Sequence, residues 1–131
     1  MNKSISQGLQ TAFLIHFAIS LIFGLPLLII PGRSLLLMDW WPIDPVISRL
    51  LGAALLAMAL GDWLCYQATE WEVIEVLLQF HIVFTLLGAI GLLRHLLFVT
   101  TPAFAWVCLV ILVIFAAVWI YFFLTDRPEA A

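Results

Sequence analysis

The chain has 131 residues, 66% of them hydrophobic and 10% charged, with a mean hydropathy of +1.21, whereas a soluble domain is about half apolar and about a quarter charged. Apolar residues run on through windows longer than ~18 positions, so lipid rather than water is the solvent these segments are built for. The net charge is −3 and the five Lys and Arg residues are scattered singly, which leaves no basic patch to grip a phosphate backbone and excludes nucleic-acid binding.

The expected fold class is all-α: a polytopic membrane protein, an antiparallel bundle of four transmembrane helices in one domain. The first span reads 9–30, about 33 Å as a helix and enough for a hydrocarbon core. Lys3 precedes this run, but the run is long and no A-x-A-like cleavage site follows, so it reads as an uncleaved first helix rather than a signal peptide. Gly24 and Pro26 predict a kink, and Pro31-Gly32 a stop. The stretch 33–44 is too short to span, and its Trp40-Trp41 pair beside Asp39 suits an interfacial segment at the headgroup level.

Asp44-Pro45 supplies a cap and a proline at the first helical position, opening a second span over 45–67. Thr69 with Glu72 has capping-box spacing and predicts a third span over 70–97. Thr101-Pro102 repeats the cap signal for a fourth, 102–125, which contains no ionisable residue. The short connections predict antiparallel neighbours with both termini on one side. Arg33, Arg49 and Arg94 lie on the loop side against Lys3 and Arg127 on the terminal side, a small bias that leans toward termini outside.

Helices in lipid meet through small residues and a few polar contacts, since leucine gains little by leaving lipid for leucine. Two stripes at four-residue spacing therefore mark expected interfaces: Ala53, Ala57 and Gly61 on the second span, and Ala12, His16, Ser20 and Gly24 on the first. The third span carries His81, Thr85, Gly88, Leu92 and His95 along one strip. The fourth has no such stripe and is expected to be the most lipid-exposed. Arg49 reads as a snorkelling cation or a partner of Asp39 or Asp44, with a lipid headgroup or other anion as the second reading. Asp62, beside Trp63, reads as an interfacial acid. Glu72 and Glu75 suit the positive end of the third helix.

Three histidines, His16, His81 and His95, are the candidate cofactor ligands. Their expected use is hydrogen bonding between helices, with Ser20 or Thr85 in reach. Haem or chlorin ligation by His16 and His81 is the alternative. The fourteen-residue spacing of His81 and His95 is similar to that of stacked-haem helices in cytochrome b, which require a fourth histidine that is missing here. Cys65 and Cys108 have no CxxC partner or neighbouring histidine, so no metal site is indicated and both read as apolar filling.

The run Ser48-Arg49-Leu50-Leu51-Gly52-Ala53-Ala54-Leu55-Leu56, with the Pro31-Gly32-Arg33 turn before it, resembles a group of bacterial four-helix membrane proteins, DoxX-like in layout. That resemblance implies a bacterial inner-membrane location and permits a link to quinone chemistry, with no catalytic residue carried over. Without a phosphate loop, an HExxH or a nucleophile elbow, the leading expectation is a non-catalytic accessory or scaffold subunit of a larger membrane complex, photosynthetic or respiratory. Its expected partners are lipids and other integral membrane subunits. The alternatives are a membrane redox component binding haem, chlorin or quinone, and a small transporter assembled from several copies.

Overall fold

The structure, a computed structural model, describes residues 5–100 and 102–127. They form five helices: α1 (Gln7–Ile29), α2 (Pro31–Leu37), α3 (Pro45–Gln67), α4 (Trp71–Phe98) and α5 (Ala103–Asp126). Among the described residues there is no strand, and α1, α3, α4 and α5 are long and apolar enough to cross a membrane. A helix satisfies its backbone polar groups internally, which is what a segment without water needs. The all-α class and the four long spans therefore stand, with boundaries within two residues of those expected.

The helix starts follow local chemistry with two departures. At α3 the Asp44 carboxylate accepts from the backbone N–H of Val46 at 2.9 Å and Ile47 at 3.0 Å, the cap that Asp-Pro foretold. At α4 the expected capping box does not form: the helix begins at Trp71 with Glu70 at the cap and no side-chain cap bond. Thr69 thus falls one position too early, and Glu72 sits one position short of the third helical residue, so neither can reach the other's amide. At α5 Pro102 occupies the cap itself and Ala103 starts the helix, while Thr101, the expected cap, lies outside the described residues.

The first span stops just before Pro31, as expected. The helix stops at Ile29 and Pro31 opens α2 as its first residue, where a missing N–H leaves no bond unmade. Upstream, α1 runs through Pro26 as one helix. The expected interfacial segment thus contains a short helix that buries Pro31, Ser34 and Leu35 and exposes Leu36 and Leu37. Its end is a Schellman turn: the Trp40 N–H bonds the Leu35 carbonyl and the Asp39 N–H that of Leu36. Asp39 holds the left-handed position at φ 54°, which Asp tolerates better than most residues.

The chain divides into two compact units, one of 11–66 and the other of 67–131 together with the first ten residues. In the first, α1 and α3 run antiparallel and meet where Gly24 faces Gly52. A Cβ on Gly52 would lie 2.7 Å from the Leu28 backbone nitrogen and 2.8 Å from the Gly24 carbonyl oxygen, so backbone touches backbone. The buried face of α3 carries Ser48, Gly52, Ala59, Asp62 and Cys65. Ala53 and Ala57, expected at this interface, are exposed. The glycine, one position from the alanine line, sets the closest approach and rotates the helix so that the alanines face outward.

In the second unit α4 and α5 form a helical hairpin, with Gly88 against Leu112, His81 against Trp119 and Glu75 near Arg127. The start of α1 belongs here too. The Ser6 hydroxyl accepts from the Leu9 N–H at 3.2 Å, as a cap does, and Ser6 donates through its N–H and hydroxyl to the Asp126 carboxylate. The beginning of the first span and the end of the last are thereby tied together, with Gly8 packed on Phe122. The expectation that the last span is the most exposed does not hold: 17% of the apolar window of α4 is buried against 22% for α5. The buried face of α5 joins large residues, Leu109, Phe115 and Trp119, to the alanines Ala105 and Ala116.

Candidate functional site

Two turns from the Gly24–Gly52 contact, in the same helix pair, stand a buried histidine and a buried acid of the unit 11–66. His16 extends from α1 and Asp62 from α3, and His16 Nδ1 lies 2.7 Å from Asp62 Oδ2. Asp62 has no exposed surface and His16 is 6% exposed. The close approach of the glycines draws the helix axes together and the antiparallel register carries position 16 to position 62. A charge inside a span is costly and is held there by a partner. An apolar setting disfavours a net charge on such a pair.

Aromatic residues stand next to the pair along both helices. Phe17, next to His16, and Trp63, next to Asp62, have ring centroids 5.5 Å apart, and Tyr66 lies 5.7 Å beyond Trp63. A groove of about 480 Å³ lined by Phe17, Leu21, Leu56, Ala59, Leu60 and Trp63 opens on this side of the two helices. Ser20, one turn along α1 from His16, is also buried. Asp62 thus lies buried in the helix contact, against His16. Trp63 is partly exposed, but a step of about 100° around the helix takes its neighbour Asp62 inside.

The second unit holds His81, fully buried. Its Nδ1–H donates to the Leu77 carbonyl one turn back at 2.7 Å, and the Thr85 hydroxyl donates to the His81 carbonyl at 2.7 Å. A carbonyl only accepts, so this bond assigns the Nδ1 proton. Trp119 meets the imidazole edge to face at 5.2 Å and stacks on Phe115 at 5.6 Å. His95, expected on the same strip as His81, is exposed in the last turn of α4. Fourteen residues at about 100° each leave an offset of roughly 40°, and the buried face passes through Leu96 instead.

The remaining expected site residues disperse. Arg49 is exposed and makes no ion pair among the described residues. Asp44 is occupied in capping its own helix and Asp39 holds the turn after α2, so neither pairs with Arg49. Gly61, Ser20 and Gly24 are buried and Gly88 is half-buried. Glu75 meets Arg127 at 3.8 Å in a largely exposed pair, a contact worth little. Cys65 and Cys108 are free thiols. Asp62, read from the sequence only as an acid beside Trp63, carries the most chemistry; the signal for its burial is its place as the acid deepest in any span.

No family model matches the chain, and neither the curated proteins nor the solved structures yield a similar one.

Proposed function

We propose that the chain is a non-enzymatic integral membrane subunit that holds an exchangeable proton within the apolar layer, with His16 and Asp62 as the pair that carries it. The observation behind this reading is the 2.7 Å contact between two buried ionisable groups. A pure scaffold gains nothing from such a pair, because apolar residues of similar volume do as well or better. Intramembrane acids and histidines characteristically serve proton relays, ion paths or bound-ligand counter-charges. A neutral, proton-sharing pair fits the first of these without a metal or organic cofactor. Infrared spectra of the protein in bilayers, recorded in H2O and D2O, test it. An Asp62 carboxyl or carboxylate band, identified by its loss in Asp62→Asn, is expected to shift in D2O; a band that stays unshifted after the span amides have exchanged would retire the reading.

Membership of a larger assembly has its own support on α3. Arg49, Ala53 and Ala57 are exposed at four-residue spacing, and a line of small residues ending in an unpaired cation is the kind of face against which another membrane helix packs. The expected result of mild detergent extraction is a co-purifying partner or a stable oligomer that Ala53→Leu with Ala57→Leu disrupts. A wild-type protein that elutes as a clean monomer would count against this subunit role.

A further inference from the structure

Four hydroxyls on the helices of this protein share one habit. Ser34 donates to the Ile30 carbonyl, Ser48 to Asp44, Thr85 to His81 and Thr125 to Tyr121, each one turn back and at distances of 2.6 to 3.0 Å. That is the usual way for a serine or threonine in a helix to satisfy its hydroxyl without help. Ser20 departs from it. Its hydroxyl is buried, the residue being 1% exposed, and it has no hydrogen-bond partner among the described residues. A buried polar atom without a partner is disfavoured enough that each case calls for an explanation, commonly an internal water. Alanine would occupy the same space without that penalty.

Position supplies the explanation. Ser20 lies four residues after His16 on α1, and residues so spaced are neighbours on one helix face; both are buried. His16 in turn holds Asp62 from α3. A carboxylate accepts at about four lone-pair sites, so it can take several partners at once, His16 among them. We infer that an internal water molecule is bound between Ser20 and the His16–Asp62 pair, hydrogen-bonded to the Ser20 hydroxyl and to the carboxylate. A buried water needs two to four polar partners, and these two groups supply the minimum. The water is the group through which the shared proton exchanges, and in this the inference rests on the proton-holding reading.

Water-edited solid-state NMR of the protein in bilayers reads this directly, by transfer of magnetisation from water to the His16 ring nitrogens. In the wild type the transfer is expected to be fast despite the depth of the residue. In Ser20→Ala it is expected to drop several-fold, with transfer to exposed residues unchanged and the thermal midpoint lowered. Transfer that is equal in the two proteins, or a midpoint raised by the substitution as removal of an idle buried hydroxyl would raise it, overturns the inference. Should Ser20→Ala fail to fold, Ser20→Cys replaces it, keeping the volume with a much weaker hydrogen-bonding group, and the same drop is expected. The infrared band of Asp62 separates the two proposals: an Asp62 band that shifts in D2O with no fast transfer to His16 dismisses the water and leaves the pair.

Discussion

Replacing Asp62 by alanine is expected to be among the most damaging single changes in the chain, lowering stability by about 3–5 kcal/mol, the cost of stripping a buried ionisable group of its partner. Asp62 is fully buried and its carboxylate meets His16 at 2.7 Å, so the truncation leaves both a cavity and an imidazole deprived of the acceptor it was placed against. The matched double change, His16→Leu with Asp62→Leu, is expected to recover much of the loss, because apolar groups of similar volume fill the space without desolvation. Reversible unfolding in detergent or lipid, compared across the two single variants and the double, gives the coupling. Losses that simply add would show that the two side chains do not act as a pair. Recovered stability without the exchangeable infrared band is the combination expected of a pair kept for its proton and not for folding.

The second large effect is expected at Gly52. A Cβ there would come within 3 Å of two backbone atoms of α1, the Leu28 nitrogen and the Gly24 carbonyl oxygen, and backbone cannot step aside as a flexible side chain can. Gly52→Ala must push α1 and α3 apart, an overpacking cost of about 1–3 kcal/mol, and Gly52→Leu more. The separation also lengthens the His16–Asp62 contact two turns away, so the pair should weaken even though neither residue is touched. Gly91 on α4 is the control: a Cβ there meets nothing within 4 Å, and Gly91→Ala is expected to be neutral or to stabilise by about 0.5–1 kcal/mol through the better helix propensity of alanine. Parallel unfolding curves for the two alanine variants check both; equal behaviour would deny that α1 and α3 are in backbone contact.

Much of the fold is written locally, and that portion is readable. Continuous apolar runs demand helices wherever water is absent, and Asp44-Pro45 marks the start of α3 because cap and proline act within four residues. The threonine at 69 shows the limit of such reading, since a shift of one residue in the helix start cancels the capping box. Packing is less legible because it depends on which residue makes the closest approach. Ala53 and Ala57 look like the interface, yet Gly52, with no side chain, comes nearer to its neighbour and turns the alanines outward.

The candidate site fell on the illegible side for the same reason. His16 stands on a recognisable small-residue stripe, but Asp62 sits next to Trp63 five residues from the end of α3, where an acid ordinarily marks the headgroup boundary. Only the register between α1 and α3 turns it inward and opposite the histidine. His95 illustrates the converse. A fourteen-residue interval looks like one face, but the accumulated rotation carries His95 off the buried strip.

The central claim, that His16 and Asp62 share a proton inside the apolar layer, is tested most directly by nitrogen-15 NMR of the imidazole of His16 in lipid bilayers. The expected spectrum has Nδ1 bearing a strongly hydrogen-bonded proton, with a signal that moves markedly in Asp62→Asn while the ring signals of exposed His95 stay in place. A His16 ring whose nitrogen signals are the same with and without the Asp62 carboxylate would contradict it.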